Sequence, residues 1–266
     1  NGMTTPLALH EQRLGRDDGP VLIMLHGLYG SGSNWRSVAK PFAQSHQVIL
    51  PDLRNHGRSP HHCDMGYRSM ASDVLALMDR HGIANAAVVG HSMGGKVAMA
   101  MALQAPERLT HLMVVDIAPV HYEHKSEHGD IIAALQNLDT DNLQDRDDAD
   151  RALAHAIPKP LVRQFLLTNL QRSATGWSWR IPLQILADSL PELLRWPSAL
   201  TGCWRGRAYF VYGGASNYVE PSSHPAIDAH FPTAQYHCLE GIGHWVHAQA
   251  PAAFIKQLTD CLAESQ

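Results

Sequence analysis

Short apolar runs recur along the chain and are separated by longer amphipathic segments. Strands are predicted at residues 6–12, 21–26, 48–50, 86–90, 112–115, 208–212 and 234–239. Several of these runs are continuously apolar, which is typical of strands covered on both faces of a parallel sheet.

Helices are predicted between these strands. Apolar residues repeat at helical spacing from Tyr67 to Met78, and Gly82 is placed to end that helix. Further helices are predicted from about Asn34 to Gln44, over residues 93–105, and from near Pro251 onward. Strands that alternate with helices predict an α/β fold in which a mostly parallel central sheet is flanked by helices.

The interval from about His121 to Arg207 interrupts this alternation. Its apolar residues follow helical spacing at Ile131–Leu138, Asp147–Ala156 and Leu161–Leu170, and no strand is predicted there. The sequence therefore predicts a helical cap at residues 121–204. The cap is inserted into a core formed by residues 3–120 and 205–266.

Composition narrows the function classes. A chain of 266 residues with a formal net charge of −4 gives no electrostatic reason to expect nucleic acid or a membrane as partner. Its four cysteines show no paired spacing, which fits free thiols in a reducing compartment. No apolar stretch reaches membrane-spanning length. A cytoplasmic location is expected, and the oligomeric state is left open.

The motif Gly90-His91-Ser92-Met93-Gly94 lies between a predicted strand and a predicted helix. This context predicts a nucleophile elbow, a sharp turn that exposes the hydroxyl of Ser92. Glycines on either side are needed because the neighbouring backbones approach too closely for a β-carbon. Ser92 is therefore the candidate nucleophile.

A second motif, Leu25-His26-Gly27-Leu28-Tyr29-Gly30, follows another apolar strand. Such a loop can supply half of an oxyanion hole, and the residue after the nucleophile supplies the other half. We predict that the backbone amides of Leu28 and Met93 bind the same oxygen. His26 is interpreted as a brace for this loop rather than as a catalytic group.

A third motif, Gly241-Ile242-Gly243-His244, follows the last predicted strand. A general base must lie at the sheet edge that carries the serine, and a loop after a strand satisfies this requirement. His247 is the alternative base, but it falls in the first turn of a predicted helix. His244 is the predicted base.

These motifs, in this order, resemble the α/β-hydrolase superfamily over nearly the whole chain. The loop Asp52–Ser59 also matches the pattern found after a strand in many members. Three details are similar to the YbfF-type small bacterial carboxylesterases: His-Gly-Leu before Tyr29, Asp-Leu-Arg-Asn-His-Gly at 52–57, and Val-Asp-Ile-Ala-Pro at 115–119. The resemblance implies the α/β-hydrolase fold, with a helical cap over the active site.

The acid of the triad is predicted at an unusual place. Most α/β-hydrolases carry it after the penultimate strand, where this chain has Ser216. Asp116 instead ends the strand that follows the nucleophile's helix, and the resemblance favours this shifted acid with Ser216 as an auxiliary partner. The alternatives are Glu220 as the acid and a purely loop-bracing role for Asp116.

The resemblance implies a serine carboxylesterase that cleaves small to medium acyl esters through an acyl-enzyme, with a small-molecule ester as its only expected partner. Candidate pocket residues are Tyr29, Trp179 and Trp245. One alternative is a C–C bond hydrolase or lyase on the same triad, whose carboxylate-bearing substrate would need cations such as Arg163, Arg172 and Arg180. Another is a catalytically inactive binding protein.

No cofactor or metal is expected. Two histidine-rich patches have spacings that could hold a metal, but neither shows a His-Glu-x-x-His or paired-cysteine pattern. They consist of His121, His124 and His128, and of His56, His61, His62 and Cys63.

Overall fold

The computed structural model describes residues 5–122 and 127–263. The ends of the predicted core, residues 3–4 and 264–266, and the cap residue His124 lie outside these ranges. The strands are β1 (Glu11–Gly15), β2 (Val21–Leu25), β3 (Gln47–Pro51), β4 (Ala86–His91), β5 (Leu109–Val115), β6 (Leu170–Ser173), β7 (Gly176–Trp179), β8 (Arg207–Gly213) and β9 (Gln235–Leu239).

The helices lie between and beyond these strands. They are α1 (Arg36–Ala39), α2 (Tyr67–Arg80), α3 (Met93–Gln104), α4 (His128–Asn137), α5 (Arg146–Leu153), α6 (Pro160–Leu167), α7 (Leu183–Leu193), α8 (His224–His230), α9 (Val246–Gln249) and α10 (Pro251–Leu262).

In the described residues, seven strands form one sheet in the order β1-β3-β2-β4-β5-β8-β9. β1 pairs antiparallel with β3, and the other pairings are parallel. The sheet is covered on both faces because successive strand residues point to opposite sides. Ile23 and Val88 pack on the face of α2 and α3. Leu22 and Val89 pack on the face of α1 and α10. The predicted α/β architecture is confirmed.

The first strand was predicted at residues 6–12, and this prediction is wrong: the strand begins at Glu11. The backbone before it bonds to side chains and a loop instead of a neighbouring strand. The Leu7 amide donates to Asp73 Oδ1 at 2.8 Å, and the His10 amide donates to Ser59 Oγ at 2.9 Å. Leu9 is buried although it lies outside the strand, so its apolar character did not indicate strand pairing.

The predicted helix Asn34–Gln44 is interrupted. Two 3₁₀ turns, Gly32–Trp35 and Lys40–Gln44, flank the short helix α1. Pro41 has no amide hydrogen to continue the α-helical ladder, and this accounts for the break.

The segment between β5 and β8 holds helices α4 to α7, but the prediction that it contains no strand is wrong. β6 and β7 pair antiparallel across the turn 173–176. Gly176 has a φ of +119° there, a conformation that few other residues adopt. The predicted helix Leu161–Leu170 consequently ends at Leu167.

Candidate active site

The nucleophile elbow forms where β4 ends and α3 begins. Ser92 has φ 55° and ψ −118°, a backbone conformation that non-glycine residues rarely adopt. A β-carbon on Gly90 would lie 2.1 Å from the carbonyl oxygen of Gly94, and one on Gly94 would lie 2.4 Å from that of Leu25. The turn therefore requires both glycines, for the steric reason inferred from the sequence.

Three residues far apart in the sequence form one hydrogen-bonded chain. His244 Nε2 lies 3.1 Å from Ser92 Oγ, and His244 Nδ1 lies 2.6 Å from Asp116 Oδ2. The order hydroxyl, imidazole, carboxylate is the arrangement in which a histidine can accept the serine proton while a carboxylate orients the ring. The structure thus brings together the three residues that the sequence singled out.

Asp116 is fully buried and has a φ of 54°. Its Oδ1 accepts the Gly213 amide at 3.0 Å, and its Oδ2 accepts the Ser216 hydroxyl at 2.5 Å. Ser216 therefore bonds to the acid and not to His244. Glu220 lies at the start of the 3₁₀ turn Pro221–Ser223, where its side chain caps that turn.

The loops that hold Leu28 and Ser92 follow adjacent strands, β2 and β4. β3 lies on one side of β2 and β4 lies on the other, so the order in which strands are added to the sheet reverses between β2 and β4. The crevice at such a point is where ligands bind in open α/β sheets. Leu28, Ser92 and Met93 line the same cavity. Within the described ranges, neither the Leu28 amide nor the Met93 amide has a protein acceptor, so both are available to a ligand oxygen.

Two buried histidines tie the Leu28 loop to the loop Asp52–Ser59. His26 Nε2 accepts the Leu53 amide at 2.9 Å, and His56 Nε2 accepts the Tyr29 amide at 3.0 Å. Burial lowers the pKa of His26 to about 4 and that of His56 to about 3, which keeps both rings neutral and able to accept at neutral pH. His26 is placed as a brace, as expected. The bracing role of His56 was not predicted, although the Asn-His-Gly sequence at residues 55–57 was recognised.

His244 is enclosed by aromatic rings. Tyr218 stacks on its imidazole with ring centroids 4.0 Å apart, and Trp245 meets its edge at 5.7 Å. His91 Nε2 lies 2.8 Å from the His244 carbonyl oxygen. Sequence reasoning missed Tyr218 because an aromatic residue in a loop has no periodicity to mark its contact.

His247, the alternative base, packs against the rings of Trp35, His91 and Phe254. It is buried and stacks on Trp35 with centroids 4.2 Å apart. Burial lowers its pKa to about 3. His247 therefore serves in packing, and it is His244 that forms the hydrogen bond with Ser92.

The cavity beside Ser92 is open to solvent, and roughly 380 Å³ of space lies within it and its mouth. None of the proposed pocket residues Tyr29, Trp179 and Trp245 lines it. Tyr29 is buried against the ring of His128. Trp179 lies in β7, and Trp245 packs against Phe165. The cavity is lined by Leu28, Tyr67, Ser92, Met93, Lys96, Ile117, Tyr122, His128, Leu190, Leu193, Leu194 and Tyr218.

The three cap arginines do not line this cavity either. Arg163 bonds to Asp150, Arg172 lies over the Trp177 ring, and Arg180 Nε lies 3.4 Å from Gln171 Oε1. Among the described lining residues, the cationic side chain is that of Lys96, which the sequence had not singled out.

Within residues 5–122 and 127–263, no group of three or more His, Cys, Asp or Glu side chains is placed to hold a metal ion. His56, from one of the two patches, is engaged as a loop brace.

No helix in the described part of the chain has the length and apolar character needed to cross a bilayer.

Several known proteins match most of this chain. A family model described as "alpha/beta hydrolase fold" matches residues 20–251. The mouse "sn-1-specific diacylglycerol lipase ABHD11" is 40% identical over 250 residues, covering 92% of this chain and 81% of the relative. "Esterase YbfF" of Escherichia coli (strain K12) is 35% identical over 237 residues, covering 89% and 91%. The solved structure "Marine microorganism esterase" superposes with a TM-score of 0.93 at 36% identity, covering 96% of this chain and 100% of that chain.

Proposed function

Since the chain belongs to the α/β-hydrolase family and is a serine carboxylic ester hydrolase, we propose that it cleaves small to medium acyl esters through an acyl-enzyme intermediate. The observation that carries this proposal is the hydrogen-bonded chain Ser92–His244–Asp116 at the wall of a largely apolar cavity. An apolar cavity favours the acyl or alcohol part of an ester.

Acylation begins when Ser92 Oγ attacks the ester carbonyl carbon. His244 Nε2 takes the hydroxyl proton during the attack and then gives it to the leaving alcohol. The negative charge that develops on the carbonyl oxygen is stabilised by the amides of Leu28 and Met93. Because the two braces His26 and His56 fix the Leu28 loop, this stabilisation needs no rearrangement during the reaction.

Deacylation repeats these steps with water as the nucleophile. His244 removes a proton from water, water attacks the acyl carbon, and the proton returns to Ser92 as the acid product leaves. Asp116 holds Nδ1 protonated throughout and stabilises the imidazolium that forms. Ser216 and the Gly213 amide hold the carboxylate in place. The mechanism uses no metal or cofactor.

The C–C bond hydrolase alternative depended on the three cap arginines as carboxylate ligands. Their contacts with Asp150, Trp177 and Gln171 lie away from the cavity. The three arginines therefore give the alternative no support, and the experiment below distinguishes the two reactions.

The proposal is tested by incubating the protein with p-nitrophenyl acetate and p-nitrophenyl butyrate in the presence of a chelator. We expect release of p-nitrophenol that is unaffected by the chelator and that is lost in Ser92→Ala, since removing a triad serine typically costs about 10⁶ in turnover. If neither ester is hydrolysed and a diketone that bears a carboxylate is cleaved, the protein is a C–C bond hydrolase instead.

A further inference from the structure

Lys96 lies in the wall of the cavity that contains Ser92. Ser92 precedes α3, and the Lys96 amide donates to the Ser92 carbonyl oxygen at 3.2 Å, so Lys96 follows the nucleophile by one turn of this helix. Only 2% of its surface is exposed. A lysine buried this deeply is uncommon unless its charge has a partner or a function.

Three backbone carbonyl groups surround the Lys96 ammonium. Its Nζ lies 2.9 Å from the carbonyl oxygen of Arg195, and 3.4 and 3.5 Å from those of Leu194 and Leu193. The first distance is an ordinary hydrogen bond, whereas the other two are long. These carbonyls end helix α7, so they hold the ammonium at the negative end of a helix dipole and fix its position.

No carboxylate offsets the charge of Lys96. Among the residues that the structure describes, no aspartate or glutamate lies within ion-pair distance of Nζ. The rings of Tyr67 and Tyr122 lie 5.4 and 5.0 Å from it. Burial lowers the pKa of Lys96 to about 7. An anion in the cavity would restore the charged form of this side chain.

We propose that Lys96 binds a carboxylate carried by the acyl group of the substrate, so that the preferred substrates are hemiesters of short dicarboxylic acids. The separation of one helical turn from Ser92 suits an acyl group of the length of succinyl or glutaryl. The inference rests on the proposed ester hydrolysis and names its substrate class. The remaining walls, chiefly leucines and tyrosines, would cover the methylene groups.

The test compares hemiesters with neutral esters of matched length. The first pair is mono-p-nitrophenyl succinate against p-nitrophenyl butyrate, and the second is the glutarate hemiester against p-nitrophenyl valerate. We expect the ratio of kcat/KM to favour the hemiester about 10- to 100-fold, the contribution typical of a hydrogen bond between charged groups. Lys96→Met should remove this preference, Lys96→Arg should retain part of it, and Lys256→Met on the exposed face of α10 should not change it.

The wild-type protein alone provides a second test. The preference for the hemiester should fall as the pH rises through about 7 to 9, because the lysine loses its proton while the carboxylate stays charged. The kcat/KM for p-nitrophenyl butyrate at each pH corrects for changes in the protonation of the triad itself.

Equal kcat/KM values for the two members of each pair in the wild type would overturn the inference, as would a hemiester preference that survives Lys96→Met. Both results are independent of the proposed function, which fails only if the neutral esters are not hydrolysed either. If Lys96→Met does not fold, the pH dependence in the wild type decides.

Discussion

Replacing Asp116 by asparagine is expected to lower kcat for ester hydrolysis by about 10⁴ while KM stays nearly constant. Asparagine fits the same space, but its amide carries no negative charge. It therefore cannot stabilise the imidazolium that forms when His244 accepts the Ser92 proton, and it permits the wrong tautomer of the ring. Steady-state kinetics on p-nitrophenyl butyrate measure both parameters.

Two further variants serve as controls. Ser216→Ala removes one hydrogen bond to the Asp116 carboxylate but leaves that of His244 to Oδ2 and that of the Gly213 amide to Oδ1, so it should retain much more activity. Glu220→Gln alters a residue that caps a 3₁₀ turn and should be close to wild type. An inactive Glu220→Gln together with an active Asp116→Asn would show that the acid has been assigned to the wrong residue.

Replacing Asp73 by asparagine should lower the free energy of unfolding by about 3–5 kcal/mol, which is typical when one partner of a buried ion pair is removed. Both side chains of the Arg54–Asp73 pair are completely buried. Arg54 Nε and Nη2 donate to the two carboxylate oxygens at 2.7 and 2.8 Å. Without the carboxylate, the guanidinium charge would remain buried with only carbonyl partners. Urea or guanidinium denaturation at neutral pH measures the change.

The matched control is Asp18→Asn at the exposed pair with Arg16. Solvent screens that pair, so no measurable loss of stability is expected. Equal, small effects at Asp73 and Asp18 would show that the buried pair is not what holds the loop Asp52–Ser59 against α2.

Local patterns in the sequence were sufficient for much of the site. The three loops that hold Ser92, Leu28 and His244 each follow a predicted strand, and parallel strands place such loops at one edge of the sheet. The position of Asp116 could be anticipated for the same reason, because it ends the strand next to the nucleophile's own. In each case the short-range pattern and the sheet topology point to the same place.

Contacts made across long sequence separations could not be anticipated. Ser216 could have bonded to either His244 or Asp116, and only the three-dimensional arrangement selects the acid. Lys96 has the spacing of an ordinary helix residue, and its place in the cavity depends on where α7 ends. The pocket assignments of Tyr29, Trp179 and Trp245 were made from residue type alone, which does not say which way a side chain points.

The strand errors have a related cause. β6 and β7 pair with each other and have four residues each. Strands of this length are too short to show a clear alternation of apolar and polar residues. The region before β1 satisfies its backbone through Asp73 and Ser59, which a pattern of apolar residues does not reveal.

The central claim, that Ser92 is a nucleophile activated by His244, is tested most directly by mapping the site of reaction with a fluorophosphonate. Mass spectrometry of the digested, labelled protein should find one adduct on the peptide that contains Ser92. The adduct should be absent from Ser92→Ala and should form far more slowly in His244→Ala. A folded wild-type protein that hydrolyses esters but carries the adduct elsewhere, or carries none, would contradict the account.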